Sequence, residues 1–292
     1  MLCVLLSGCG VAQFATCAPH TKEEGAPTRN WVECFHQPAS HAGISHSVYC
    51  LNEDAAKPPV LLLHELTGLT PGTLAYAEEL SKDFTVYVPL LFGEKGRFSP
   101  SGGLLAYWGT AEWTPPQEGS MPMVNWLRGV VRDIGARHPR QRVGVIGNCM
   151  TGPLPIALLD NPQVGAAVVA QPALPMRFWF YTDEDKASLG LSGDDLRSAR
   201  SSTAQIYGLR FETDCMADRT KLRTLREQFG DRFLNGEIPA REYQLEGKPT
   251  NAHSTLIGSW KTQAQDGRAS RDARERVRTF LLQQLTETRA GG

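Results

Sequence analysis

Residues 144–152 read GVIGNCMTG, an apolar run that ends at a cysteine between glycines. The run Val143 to Ile146 predicts a short buried strand, and Pro153 to Leu159 predicts a helix that tolerates proline in its first turn. Cys149 would then lie on a sharp turn between strand and helix, where its side chain is exposed to a reacting group. The first free N–H groups of the helix, and the helix dipole, favour a thiolate at this place.

A buried, inert cysteine is the commoner explanation of such a pattern taken alone, so the surrounding elements decide the interpretation. Apolar strands alternate with helical patterns from residue 60 to the end of the chain. Predicted strands are Val60 to Leu63, Thr85 to Val88, Val143 to Ile146, Val164 to Ala170, Ala204 to Phe211 and a last one, Glu242 to Leu245. This order predicts an α/β fold with a mostly parallel central sheet and helices on both faces. Reactive groups collect at the carboxyl ends of the strands in such sheets.

The chain's size and charge limit its class. Its 292 residues are 41% hydrophobic and 21% charged, which is typical of a globular protein, and residues 29–292 are long enough for one domain. The 30 Lys and Arg nearly balance the 31 Asp and Glu, and no block of like charge is present. Nucleic acid is therefore not an expected partner.

The N-terminal residues 1–28 predict a signal-like segment followed by a linker. Leu6-Ser7-Gly8-Cys9 matches a lipobox, in which Cys9 would carry a lipid after signal cleavage. The apolar run before Cys9 is short and lacks a basic residue, unlike an ordinary signal peptide. Two alternatives stay open: an exported lipoprotein anchored to a membrane through Cys9, or a cytoplasmic protein.

The cysteines give no metal site, because no Cys-x-x-Cys pair or Cys/His cluster with zinc spacing occurs. We predict neither a metal nor an organic cofactor. Trp31 to Phe35 and Ser45 to Leu51 predict an N-terminal hairpin. Cys34 and Cys50, in these segments, would form a disulfide in an oxidising compartment and otherwise be small buried apolar groups.

A cysteine nucleophile needs a base and an orienting carboxylate. His253 is the only histidine that follows Cys149, and it lies in a loop before the closing helix. Asp214 follows the strand Ala204 to Phe211, so it falls at the carboxyl end of the next-to-last predicted strand, where reactive groups collect. Glu212 and Asp218 are its competitors, although Asp218 is typical of a helix N-cap.

Glu65 follows directly on the buried strand Val60 to Leu63. A carboxylate in that place costs free energy unless it is paired. Its position beside the nucleophile strand indicates a catalytic or gating role, and the alternative is a structural carboxylate bonded to loop amides.

Together these residues resemble the dienelactone hydrolase family of α/β-hydrolases. The resemblance is carried by Glu65, by the GNCMTG turn of residues 147–152, by residues 208–211 leading to Asp214, and by residues 252–254 around His253. It extends from about residue 58 to about residue 286, and the order of the blocks is more specific than any one of them.

The resemblance implies an ester or lactone hydrolase. In this family the glutamate takes the proton of a neutral cysteine thiol when substrate arrives, so Glu65 would activate Cys149. The backbone N–H groups of Met150 and Leu66 would form the oxyanion hole. His253, oriented by Asp214, would then handle protons while water cleaves the acyl-enzyme.

Two departures from the family pattern bear on activity and substrate. Thr151 replaces a glycine of the turn, and a β-branched residue is expected to crowd it. Glu94 and Ile257 stand where family members that hydrolyse dienelactone hold its carboxylate with arginines. We therefore expect a small neutral ester or lactone in an aromatic pocket, whose candidate residues are Phe92, Tyr107, Trp108 and Trp113.

Two other functions fit parts of the sequence. A catalytically silent binding or scaffold protein would explain Thr151, and a thiol redox sensor would join Cys149 to Cys215. Two regions show no functional pattern. Gly93 to Ser120 is predicted to be a long irregular connection, and Asp183 to Asp195 a solvated one. The oligomeric state and the natural substrate do not follow from the sequence.

Overall fold

The computed structural model describes residues 22–23, 27–35, 39–51, 53–114, 118–176, 182–243, 252–259 and 268–286. Its strands are β1 (Lys22–Glu23), β2 (Val32–Glu33), β3 (Ala39–His41), β4 (Ile44–His46), β5 (Val48–Cys50), β6 (Pro59–Leu62), β7 (Thr85–Pro89), β8 (Val143–Asn148), β9 (Val164–Ala170), β10 (Gln205–Phe211), β11 (Phe233–Ile238) and β12 (Gly258–Ser259). The helices are α1 (Pro71–Leu80), α2 (Pro100–Gly109), α3 (Pro122–Arg137), α4 (Leu154–Ala157), α5 (Asp183–Ala187), α6 (Gly193–Arg200), α7 (Arg219–Phe229) and α8 (Arg268–Thr286).

Within this part of the chain, eight strands form one sheet in the order β11-β10-β9-β8-β6-β7-β5-β2. The six strands from β11 to β7 run parallel, while β5 and β2 are antiparallel additions at one edge. This is the α/β-hydrolase fold, and the predicted mostly parallel sheet is confirmed. β8, which leads to Cys149, lies in the interior of the sheet between β9 and β6.

The sheet separates two hydrophobic cores because successive side chains of a strand point to opposite faces. Leu61 and Leu63 belong to the core beneath α3, α4 and α7, while Val60 and Leu62 belong to the core beneath α1 and α8. Burial on both faces explains why the parallel strands have continuous apolar sequences.

The predicted N-terminal hairpin is present as the antiparallel pair β2 and β5, with Val32 opposite Cys50. A second hairpin, β3 with β4, is inserted between them and was not predicted. Cys34 and Cys50 form a disulfide, one of the two states that the sequence left open for them.

The prediction for Gly93 to Ser120 was wrong, because this region contains α2 and a 3₁₀ turn, Ala111–Trp113. Gly102 and Gly103 weaken the helical pattern in the sequence. Gly103 has a packing reason, since a Cβ atom there would lie 2.0 Å from the carbonyl oxygen of Leu66. The absence of a side chain lets α2 rest directly on the Leu66 peptide.

Among the described residues the last parallel strand is β11, and the predicted strand Glu242 to Leu245 does not begin at Glu242. Glu242 ends a 3₁₀ turn, Ala240–Glu242, and Leu245 lies outside the described residues. The sequence of β11, FLNGEI, contains Asn, Gly and Glu, which are depleted in strands. Its place at the edge of the sheet tolerates them.

The region Asp183 to Asp195 is not a solvated connection as predicted. It contains α5 and the start of α6, which are capped by the hydroxyls of Thr182 and Ser192. Asp195 is 1% exposed and pairs with Arg128 at 2.8 Å. The acidic residues thus follow helix N-termini, where negative charge is favourable.

The lipobox and Cys9 lie outside the described residues. Within the predicted linker, β1 pairs antiparallel with β12, with Lys22 opposite Ser259. Among the helices of the described chain, none has both the length and the apolar character that a membrane span requires.

Candidate active site

Cys149 follows the carboxyl end of β8 and begins a 3₁₀ turn, Cys149–Thr151. Its φ is +55°, a left-handed conformation that is uncommon for a residue with a side chain and is concentrated at functional sites. The turn requires its glycines, since a Cβ at Gly147 would lie 2.3 Å from the Thr151 carbonyl oxygen and one at Gly152 would lie 2.7 Å from Pro172 Cα.

Thr151 is accommodated in this turn by hydrogen bonds. Its hydroxyl accepts the N–H of Asn148 at 2.9 Å and lies 3.1 Å from the carbonyl oxygen of His64. The Asn148 amide donates to the Leu63 carbonyl at 2.9 Å. The β-branched side chain that was expected to crowd the turn therefore ties it to the loop after β6.

Cys149 is the free cysteine of the described residues, and its side chain is 3% exposed. Cys215 takes part in a disulfide with another residue. The structure therefore does not contain the Cys149–Cys215 disulfide expected of the redox-sensor alternative.

His253 and Asp214 form a buried pair in which Nδ1 and Oδ2 are 2.8 Å apart. The other carboxylate oxygen of Asp214, Oδ1, accepts the backbone N–H groups of Met216 and Ala217, both at 2.9 Å. Both oxygens of Asp214 thus act as acceptors, and the aspartate fixes the orientation of the imidazole ring.

The two competing acids are used elsewhere. Glu212 accepts the N–H of Ala240 at 2.6 Å, and Asp218 caps α7 through the N–H of Thr220 at 2.9 Å. Of the three acids considered from the sequence, the structure thus brings Asp214 to His253.

The electrostatic surroundings of His253 combine opposing effects. Burial lowers its pKa, but the Asp214 carboxylate and the neighbouring Cys149 outweigh burial and hold the pKa well above its usual value. Within the described chain, no hydrogen bond of ordinary geometry reaches Nε2, the nitrogen on the far side of the ring from Asp214. Loose hydrogen bonds between nucleophile and base are common before substrate binds.

Arg210 holds the loop that carries Asp214, a role that the sequence reasoning missed. Its guanidinium donates to the carbonyl oxygens of Ala217 at 2.7 Å and of Asp214 at 2.8 Å, and it pairs with Glu237 on β11. An arginine inside a predicted buried strand was the available signal, because a buried charge must be paired.

Glu65 lies in the loop after β6, and its exposed fraction is 6%. One oxygen, Oε1, accepts hydrogen bonds from Gln171 Nε2 at 2.8 Å and from Ser254 Oγ at 2.7 Å. Burial raises the pKa of Glu65, while His253, Ser254 and Gln171 oppose the rise. Neither Gln171 nor Ser254 was identified as a partner of Glu65 from the sequence.

His64 anchors the same loop as a neutral residue. Its Nδ1 donates to the carbonyl oxygen of Glu65 at 2.9 Å, and its Nε2 accepts the N–H of Leu91 at 3.0 Å. Burial lowers the pKa of His64 to about 4, so the ring is uncharged near pH 7. A fixed tautomer therefore links the loop after β6 to the end of β7.

Of the two backbone N–H groups predicted for the oxyanion hole, that of Met150 lies in the 3₁₀ turn that begins at Cys149, and that of Leu66 lies in the loop after β6. In the described chain, neither the N–H of Leu66 nor that of Met150 donates to a loop carbonyl or a side chain. Helix α2 packs on the Leu66 peptide at Gly103, and Ser99 N–H donates to the Thr67 carbonyl at 2.8 Å. The loop that carries Leu66 is thus held by its contacts with α2 and with the residue before α2.

The four aromatic residues predicted for the pocket occupy different environments. Phe92 is 9% exposed and packs edge-on against His64, with ring centroids 4.6 Å apart. Trp113 is buried behind Phe92, and the Tyr107 hydroxyl accepts the N–H of Met176 at 3.1 Å. Trp108 is 53% exposed and packs against Tyr107. Of the four, Phe92 lies against the loop that carries Glu65.

No protein-family model and no curated protein matches this sequence. Solved structures do match. A candidate dienelactone hydrolase from Klebsiella pneumoniae is similar over 87% of this chain and 98% of its own, with 17% identity and a TM-score of 0.59. A dienelactone hydrolase from Anabaena variabilis covers 88% of this chain and 98% of its own, with 12% identity and a TM-score of 0.56.

An esterase from Pyrococcus furiosus is similar over 91% of this chain and 98% of its own, with 12% identity and a TM-score of 0.56. At these identities the similarity establishes the α/β-hydrolase fold. Among the described residues, no group of three or more His, Cys, Asp or Glu is arranged to hold a metal ion.

Proposed function

We propose that this protein is a hydrolase that cleaves a small carboxylic ester or lactone through an acyl-enzyme on Cys149. The observation that supports this best is the position of Cys149: on a left-handed turn after an interior strand, beside a histidine paired with a buried aspartate. A nucleophile, a base and an orienting acid in this arrangement perform acyl transfer in unrelated folds. The structural similarity to dienelactone hydrolases and an esterase agrees with this chemistry.

The first half of the proposed reaction forms the acyl-enzyme. The Cys149 thiol loses its proton to Glu65, and the thiolate attacks the carbonyl carbon of the substrate. The backbone N–H groups of Met150 and Leu66 stabilise the tetrahedral oxyanion, each contributing about 2.7–4 kcal/mol if it acts like a typical donor. As the carbon–oxygen bond breaks, His253 gives a proton to the departing alkoxide.

The second half releases the acid. His253, now neutral, takes a proton from a water molecule, which attacks the thioester carbonyl. The tetrahedral intermediate expels the Cys149 sulfur, which takes back the proton held by Glu65, and the carboxylic acid leaves. Asp214 stabilises the imidazolium form of His253 in both halves.

A neutral substrate is favoured because the two arginine positions of the dienelactone-hydrolysing enzymes are not filled here. Glu94 is exposed and pairs with Arg97 at 2.7 Å, and Ile257 is 2% exposed within a hydrophobic core. Neither residue offers a cation to a substrate carboxylate. Lipid attachment at Cys9 stays a separate prediction, which intact-protein mass spectrometry of material from the natural host would test.

The test is hydrolysis of p-nitrophenyl acetate and butyrate by the parent, by Cys149→Ala and by His253→Ala. The matched control is His41→Ala, because His41 also pairs with an aspartate, Asp133 at 2.6 Å, but this pair joins β3 to α3 and involves none of the proposed site residues. We expect turnover by the parent and the control and a loss of at least about 10³-fold in the two site variants. Equal background rates in all four proteins would favour the binding-protein alternative.

A further inference from the structure

Glu65 is held by two side chains that the proposed reaction does not use. Gln171 is wholly buried, and Ser254 is 4% exposed. Both have positive φ values, +35° and +64°, as Cys149 does. Such conformations persist only where the surroundings enforce them, and here two of the strained residues meet at one carboxyl group.

The direction of the hydrogen bond from Gln171 is fixed by its other partner. Gln171 Oε1 accepts the backbone N–H of Thr255 at 3.1 Å and also lies against the Thr255 hydroxyl. Because a backbone N–H can only donate, the amide oxygen must face Thr255. The amide nitrogen therefore faces Glu65 and must donate to it.

The same argument applies to Ser254. Its hydroxyl oxygen accepts the backbone N–H of Gly258 at 2.9 Å. The single hydroxyl hydrogen is then directed to Glu65 Oε1, 2.7 Å away. Two backbone N–H groups, on Thr255 and Gly258, thus make both neighbours of Glu65 obligatory donors.

A carboxyl oxygen that accepts two such hydrogen bonds cannot itself carry a proton, because the proton would oppose both donors. Within the described chain, no hydrogen bond reaches the other oxygen, Oε2. We infer that Gln171 and Ser254 are positioning residues that reserve Oε2 of Glu65 as the one atom through which it takes the Cys149 proton. This rests on the proposed function. The step is balanced: the proton moves from sulfur to Oε2 and leaves a thiolate and a neutral carboxylic acid.

The charged groups around Glu65 set the conditions for this transfer. Burial raises its pKa, and Asp214 raises it further. His253 lowers the pKa, as do the hydrogen bonds from Ser254 and Gln171. The adjacent His64 is neutral near pH 7. Removal of either donor is therefore expected to make Glu65 hold its proton to a higher pH.

The test follows the carboxyl ¹³C resonance of Glu65 against pH in protein labelled at glutamate. The resonance is assigned by its absence from Glu65→Gln. We expect the midpoint to rise by about one pH unit in Gln171→Met and in Ser254→Ala. Gln141→Met is the matched control, since Gln141 bonds Ala56 and His138 away from the site and should leave the midpoint unchanged.

Turnover supplies the second readout. In Gln171→Met, the acidic limb of the plot of kcat/KM against pH should move to higher pH, by the same amount as the ¹³C midpoint. Gln171→Met made in the Glu65→Gln background should change kcat/KM little further, because glutamine at position 65 cannot accept the Cys149 proton. A purely structural role for Gln171 would instead lower activity by the same factor with and without Glu65.

Unchanged midpoints in both donor variants, with melting temperatures showing that they are folded, would overturn the inference. If only one variant folds, its midpoint decides the matter. The donor variants could also show a raised midpoint while the parent shows no turnover that depends on Cys149. That result would support the arrangement of donors around Glu65 and contradict the proposed hydrolysis. Failure of the inference and failure of the proposed function are thus distinguishable.

Discussion

The loops after β6 and β10 each present a buried carboxyl group to the same histidine region, but they bind it differently. After β10, Asp214 has both oxygens engaged: Oδ1 by two backbone N–H groups and Oδ2 by His253. After β6, Glu65 has both donors on Oε1 and none on Oε2. The first carboxyl group can only accept, while the second keeps one oxygen for a proton. In the reaction that we propose, this distribution of donors suits Asp214 to orient His253 and Glu65 to accept a proton.

The largest effect on activity is expected from a change at Asp214, the carboxyl group with hydrogen bonds to both oxygens. Asp214→Asn keeps the shape but must present an N–H or a carbonyl to His253 in place of a carboxylate. We expect kcat/KM for p-nitrophenyl esters to fall by about 10³–10⁴-fold, because the imidazolium loses its stabilising charge. Glu212→Gln, which alters an acid bonded to Ala240, is the control and should stay within a few-fold of the parent.

A smaller loss of activity is expected from a change at Glu65, the carboxyl group with hydrogen bonds to one oxygen. Glu65→Gln retains an acceptor for Gln171 and Ser254 but cannot take a proton from Cys149. We expect kcat/KM to fall by about 10²-fold, at the low end of the range for a lost general base. The rate of Cys149 alkylation by iodoacetamide should fall in the same variant. An unchanged alkylation rate would show that Glu65 has no part in forming the thiolate.

The comparison also predicts a difference in stability, because the loop after β10 depends on a buried arginine. Arg210→Met leaves the Ala217 and Asp214 carbonyls without their donor and Glu237 without its partner. We expect the free energy of unfolding to fall by about 2–3 kcal/mol in urea titrations. The control is Arg278→Met, which breaks the more exposed pair with Asp83 and should cost about 1 kcal/mol or less.

The smallest effect concerns pH. Folding raises the pKa of Glu65. At a pH between the unfolded and the folded pKa, the folded protein therefore holds a proton on Glu65 that the unfolded chain has released. This contribution to stability is complete below the unfolded pKa and is lost as pH rises through the folded pKa. Glu65→Gln should therefore gain stability relative to the parent as pH rises above about 4.3, the usual glutamate pKa, by about 1.4 kcal/mol per unit of pKa difference. A stability difference that stays constant as pH rises would contradict the raised pKa.

The sequence predicted the parts of the site that depend on local pattern. An apolar strand followed by glycines and a helix identified the Cys149 turn, and the order of elements identified His253 and Asp214. Gln171 was missed because its role depends on Thr255, which is distant along the chain, and on a positive φ that no residue type signals. The Gln171 amide can bond Thr255 only because the fold brings the end of β9 next to the loop that carries His253.

Fold elements were missed for related reasons. The sequence of α2 includes Gly102 and Gly103, which reduce helix propensity, and only the contact with Leu66 explains them. The sequence of β11 lacks the apolar continuity of the other parallel strands because it lies at an edge. In both cases tertiary contacts override a weak local signal.

The short pairing of β1 with β12 has a mechanical consequence. β12 begins at Gly258, whose N–H binds the Ser254 hydroxyl, so Lys22–Glu23 is coupled through one strand to the residue after His253. A load applied to the chain before residue 22, by an anchor or a fused protein, would be transmitted along this path into the loop that carries His253. Such a load would act first on the hydrogen bond between the Gly258 N–H and the Ser254 hydroxyl.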